Sequence, residues 1–182
     1  MVKRQAAVAV IAAAGSVGAL LASPTAAADN RRLNDGVVAN VYTIQQKAGC
    51  STEIKVNPKL RLAAQWHTND VLNNPALNGD VGSDGSTVAD RARNAGYAGA
   101  VAETTAINPA LAINNLDVLK LWYYRPDYYG IMSDCSNIDI GVWSENHFPD
   151  RSVVVAVYGK GDTAAPVMAP ERQFGQVPGW TP

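Results

Sequence analysis

The sequence predicts one α+β domain, on three observations. Apolar residues recur at helical spacing over 33–48 and again over 60–71. Two strand-like segments, IDIGVWS (138–144) and SVVVAVYG (152–159), follow one another near the C-terminal end, with Glu145 to Asp150 as a hairpin connection. Between these patterns, the stretch from Gly79 to Glu103 gathers most of the polar residues that could do chemistry.

The ends of the chain read differently from its middle. Lys3 and Arg4, an apolar run from Ala6 to Ala22 and small residues ending in Ala26, Ala27 and Ala28 describe a secretory signal peptide over 1–28. The run is Ala-rich and only as long as the shortest spanning helices, which argues against a membrane anchor. No Cys follows it to take a lipid. The expected product is soluble, in the cell envelope or outside the cell, with no integral membrane segment once the leader is removed. The domain is expected over 29–161. Past Gly161 the composition shifts to Ala, Pro, Gly and isolated polar residues, so 162–182 reads as a flexible tail.

The chain has 15 basic and 16 acidic residues; without Lys3 and Arg4 the balance is 13 against 16, a net charge of −3. Mild acidity with no basic stretch argues against nucleic acid as a partner. Cys50 and Cys135 are the two cysteines, and export places them in an oxidising compartment, where a long-range disulfide is expected. The competing reading, metal ligation, lacks any accompanying CxxC or CxxH.

Each element has a local reason. Leu33, Val37, Val41, Ile44 and Ala48 share one helix face, and Gly49 stops that helix. Asn57 and Pro58 form a helix start, after which Leu60, Ala63, Ala64, His67 and Val71 line a stripe that Pro75 closes. His67 therefore sits on an apolar face, either as a packed, hydrogen-bonded core histidine or as a partner in a site. The loop GDVGSDGST is too rich in Gly and Asp for regular structure. Asp80, Asp84 and Asp90 do not fall at EF-hand spacing, and the glycines precede no GK[ST], so neither a calcium loop nor a phosphate cradle is expected. Ser86 or Thr87 caps a short helix that Gly96 ends. Residues 98–107 read as a strand carrying one buried or cleft-facing carboxylate, Glu103. Asn108 and Pro109 are expected to open a further helix that runs through Val118, Leu119 and Trp122 and ends at Pro126.

The order RLAAQWHTNDVL, GSDGST, DRARNAGY, VAET, LKLWYYRPDYYGIM and IDIGVW, closed by a valine-rich strand, resembles the CAP (SCP, or pathogenesis-related protein 1) superfamily in its bacterial secreted form. The similarity spans roughly residues 33 to 160. It implies a three-layer α-β-α sandwich with a small, mainly antiparallel sheet, in keeping with the elements above. It also implies a cleft of two histidines and two acidic residues, sometimes occupied by zinc or another divalent ion. The positions matching that tetrad here are Asp80, Glu103, Arg125 and Tyr128, of which only Glu103 keeps the family residue type. Two carboxylates, a phenol and a guanidinium make a poor set for zinc, so no metal or other cofactor is expected. Arg125 is expected to pair with Glu103 or Asp80 instead.

Three functions remain in view. The preferred one is a non-catalytic secreted protein that binds a small apolar ligand, an envelope lipid or a protein partner through the cleft and an aromatic rim of Tyr123, Tyr124, Tyr128 and Tyr129. A hydrolase would use Glu103 as general acid or base, with His67 as its partner if its helix faces the cleft. No GxSxG elbow, Cys-His arrangement or HExxH supports that. A structural envelope protein is the third.

Overall fold

The computed structural model describes residues 25–77, 79–109, 113–147 and 151–163, with side chains from Asn30 onward. The elements in order are α1 (Thr25–Lys47), β1 (Lys55–Val56), α2 (Pro58–Asn73), α3 (Val88–Asn94), β2 (Val101–Asn108), α4 (Asn115–Tyr123), α5 (Pro126–Ser133), β3 (Asp139–His147) and β4 (Arg151–Gly159). The strands form one sheet in the order β1-β3-β4-β2. β4 runs antiparallel to both β2 and β3, whereas β1 joins β3 in parallel through only two residue pairs, so the sheet is mixed.

β4 explains the layering. Its odd positions Val153, Val155 and Val157 pack with Leu60, Ala63, Ala64 and Val71 of α2 and Ala92 of α3. Its even positions Val154, Ala156 and Tyr158 pack with Val37, Val41 and Ile44 of α1, Val118 and Trp122 of α4, and Tyr128 and Met132 of α5. A strand buried on both faces needs a continuous apolar run, and a layer of helices covers each face. The result is the α-β-α sandwich. α2 lies close enough on β3 that a Cβ at Gly141 would run into the backbone of Leu60 and Arg61.

The helix starts follow the sequence closely. Asn57 accepts from the Lys59 N–H at 3.0 Å with Pro58 at the first helical position, and Thr87 and Asp90 form a reciprocal capping box on α3. Gly49 and Gly96, past the ends of α1 and α3, take φ of 87° and 88°. Cys50 and Cys135 are disulfide-bonded with Cα atoms 5.1 Å apart, tying the end of α1 to the loop after α5. Closing a loop of 85 residues stabilises by roughly 4 kcal/mol in the chain-entropy model.

Several boundaries differ from expectation. β2 continues through Asn108, and the next helix starts at Asn115 behind the capping side chain of Asn114; residues 110–112 of the expected helix lie outside the described residues. Pro126 begins α5 rather than merely ending α4, because a proline suits the first helical position when the residue before it is extended, as Arg125 is. The β3–β4 pairing reaches His147↔Arg151, deep into the expected hairpin connection. α1 begins at Thr25, so cleavage after Ala28 would fall in its first turns; the rest of the expected leader lies outside the described residues. At the other end, Asp162 and Thr163 are docked: Asp162 takes Lys59 Nζ at 2.6 Å and the Ala98 N–H at 3.1 Å, and the Thr163 hydroxyl donates to the Ala98 carbonyl at 2.6 Å. The remainder of the expected tail lies outside the described residues.

Candidate functional site

The site is built along β2, which is an edge strand of the sheet. Glu103 pairs with Val157 of β4, so its carboxylate points to the side covered by α2 and α3. On that side α2 presents His67 from its apolar stripe and α3 presents Arg91. Both are buried, the His67 side chain completely, and the Glu103 side chain is only 1% exposed.

Arg91 organises this cluster. Its Nη2 donates to both Glu103 oxygens, at 3.0 and 3.1 Å, and to the Asp80 carbonyl at 2.8 Å. Its Nη1 donates to the Ser86 carbonyl at 2.8 Å. One guanidinium thus holds the carboxylate and both ends of the Gly/Asp/Ser loop. Loop residues are further fixed by Asp70, whose carboxylate accepts the Ser83 N–H and hydroxyl at 2.7 and 2.6 Å.

His67 Nε2 lies 3.1 Å from the Gly79 carbonyl and 3.3 Å from Glu103 Oε1. A carbonyl can only accept, which assigns the proton to Nε2. Nδ1 is then a bare lone pair, buried and without a hydrogen-bond partner among the described residues. Burial, with Arg91 beside it, lowers the His67 pKa below its ordinary value, so the ring is neutral at physiological pH. Burial raises the Glu103 carboxyl to about 7 against the pull of Arg91, with the Asp80 charge adding to the rise.

On the opposite side of β2, α5 brings Tyr128, buried among the core residues of that face and hydrogen-bonded to the Thr105 backbone. Burial raises its pKa, and the Asp80 charge acts in the same direction. Asp80 is itself exposed, and its charge is felt by His67, Glu103 and Tyr128 alike. Arg125 lies with its guanidinium 3.6 Å from the centre of the Tyr128 ring.

The expected pairing of Arg125 is corrected. Its fork grips Asp127, with Nη2–Oδ2 at 2.6 Å and Nε–Oδ1 at 3.3 Å, while the partner of Glu103 is Arg91. Arg125 caps the start of α5 in an extended conformation at the surface, where Asp127 two residues on is within immediate reach. Arg91 is the residue that the sequence reading missed. Its signal was present: with Val88 and Ala92 it falls on the inward stripe of α3, and a guanidinium on such a stripe needs a buried anion.

These donors do not fit a divalent ion. Both Glu103 oxygens already accept from the Arg91 guanidinium, Arg125 is engaged by Asp127, and Tyr128 offers a high-pKa phenol where imidazole would be wanted. Among the described residues, no group of three or more His, Cys, Asp or Glu is arranged to hold a metal. Outside the cluster, Tyr123, Tyr124 and Tyr129 are exposed at the junction of α4 and α5, with ring centroids 5.5 and 5.1 Å apart in edge-to-face contacts.

No family model and no curated protein matches the sequence. Solved structures do match the fold. An outer surface protein from Borrelia burgdorferi aligns over 68% of this chain and 88% of its own, with 14% identity and a TM-score of 0.58. An extracellular protein containing an SCP domain from Bacillus anthracis aligns over 77% of this chain with 12% identity and a TM-score of 0.57. A cysteine-rich secretory protein from Staphylococcus aureus aligns over 72% with 9% identity and a TM-score of 0.52. The chain spans 45% and 39% of the length of these last two. The likeness is one of fold: these structures share the α-β-α arrangement that the resemblance to the CAP superfamily implies.

Proposed function

We propose that the protein is an exported, non-catalytic CAP-fold binding protein, released from its leader at 1–28, with the tyrosine rim at the mouth of a metal-free cleft as its contact surface for an apolar or lipid ligand. The fold neighbours described as outer surface, secretory and extracellular proteins support the location. The carrying observation is a contrast in exposure: Tyr124 is 81% and Tyr123 45% exposed, while the Glu103 and His67 side chains are 1% and 0% exposed. Tyrosines offer apolar bodies with polar tips, and Arg125 beside them can meet an anionic headgroup.

Native mass spectrometry of the protein purified from its own source tests this. Co-purifying lipid, lost in the Tyr123→Ala/Tyr124→Ala double variant, supports the reading. Lipid retained by that variant, or no lipid together with no co-sedimentation on anionic phospholipid vesicles, refutes it. The second reading, a hydrolase, draws on a carboxyl raised to about 7 with an imidazole 3.3 Å away. Its substrate would need access to two side chains that solvent does not reach.

A further inference from the structure

A separate cavity of about 460 Å³ opens where the α1 N-terminal half, α2 and β3 meet. It opens where β1, which pairs with β3 only at Asp139 and Ile140, leaves the outer edge of β3 beyond Ile140 without a strand neighbour among the described residues. The cavity lies elsewhere than the tyrosine rim and the Glu103 cluster, sharing no residue with either. Its volume lies within the roughly 300–1,000 Å³ of small-molecule sites.

The lining chemistry is specific. Trp143 is half-buried, with Arg61 6.0 Å from its ring centre, and its Nε1 donates to Glu145 at 3.1 Å. Arg31 and Asp35 lie along one wall, 4.0 Å apart. Asn34 lines the cavity too, and its Oδ1, shielded from solvent, has no hydrogen-bond partner among the described residues. Two guanidiniums and two carboxylates cancel, so the cavity carries no net charge to select an ion. What it does offer is an aromatic face among planar donors and acceptors.

We infer that this cavity is a binding site for a neutral saccharide, one or two rings in size. A sugar ring presents a C–H face to an indole and hydroxyls that both donate and accept, which is what Trp143 and the surrounding amide, carboxylate and guanidinium groups complement. Asn34, on the cavity wall, adds an amide to that set. Glu145, held by Trp143 and by Asn30 at 3.5 Å, is positioned as a further acceptor.

Isothermal calorimetry and saturation-transfer NMR on the wild-type protein, with glucose, galactose, N-acetylglucosamine and their β-1,4 disaccharides as probes, test the inference. The expected result is saturable binding of at least one probe that weakens at least about tenfold in Trp143→Ala, about 1.4 kcal/mol. The exposed Asp35→Ala and the Asn34→Ala variants guard against a Trp143 variant that fails to fold, and each should weaken the same probe at unchanged melting temperature. Tyr124→Ala should bind as wild type, which separates this site from the rim. No saturable binding by any probe overturns the inference, as does binding indifferent to Asn34, Asp35 and Trp143. A preference for a charged tripeptide over every saccharide also overturns it.

Discussion

Two arginine–carboxylate pairs flank the outer strand of the sheet, and they do different work. Arg91 and Glu103 are buried on the α2/α3 side, with side chains 6% and 1% exposed; Arg125 and Asp127 sit at the surface on the α5 side, 52% and 59% exposed. The residue types are the same. What differs is the solvent, and with it the consequence of losing a partner. A buried charge stripped of its counter-ion keeps its full desolvation cost, whereas an exposed one returns to water.

The largest expected effect therefore belongs to Arg91. Arg91→Ala should destabilise by about 2–4 kcal/mol, because it takes the donor from the carbonyls of Asp80 and Ser86 and leaves Glu103 without a counter-ion, so that its carboxyl has to be buried protonated. Urea denaturation of the wild type and variant reads this directly. Arg91→Met combined with Glu103→Leu should recover much of the loss by removing both charges. A double variant as unstable as Arg91→Ala alone would place the cost in the loop contacts rather than in the stranded carboxylate.

The pH dependence comes next, with two groups pulling in opposite directions. Glu103 rises on folding from an ordinary 4.5 to about 7, so the folded state binds more protons between those values. Its contribution is most favourable below 4.5 and is lost as pH rises towards 7, by at most about 3 kcal/mol. His67 is lowered on folding, so its contribution is present above the ordinary 6.5 and is lost as pH falls towards the folded value. Glu103→Gln isolates the first group: relative to this variant, the wild type should lose stability as pH rises from 4.5 to 7. The reverse slope would mean that attraction to Arg91 outweighs burial, and Glu103 would then stay ionised throughout.

The same contrast explains what could be read from the sequence. The helical stripe from Leu60 to Val71 and the continuous valine run of β4 record burial on one face or two, and burial patterns survive in the order of residues. β1 left no such trace, since it is two residues held by main-chain bonds of Lys55 and Asn57 to the carbonyls of Ile138 and Ile140. Glu103 was legible from its place in VAET. Its partner was only half legible: the inward stripe of α3 marks Arg91 as needing a buried anion, but assigning that anion to Glu103 requires knowing that α3 and β2 face each other. Motif position suggested Arg125; the inward stripe of α3 favoured Arg91.

The smallest effect should come from Arg125. Its guanidinium stacks 3.6 Å over the Tyr128 ring while half exposed, a contact worth about 0.5–1 kcal/mol at such a site. Arg125→Ala should therefore cost no more than that. Arg125→Lys should lose part of it, since an ammonium keeps the charge but not the planar fork on Asp127. The double-mutant cycle with Glu103→Gln should couple by less than about 0.3 kcal/mol, because the two side chains share no partner. Adding salt should weaken the Asp127 pair while leaving the Arg91–Glu103 pair nearly untouched, since ions screen exposed charges and not buried ones. Strong coupling between Arg125 and Glu103 would mean that the two pairs act as one unit across the strand, and the division into a buried cluster that holds the fold and an exposed rim free to meet a ligand would fail.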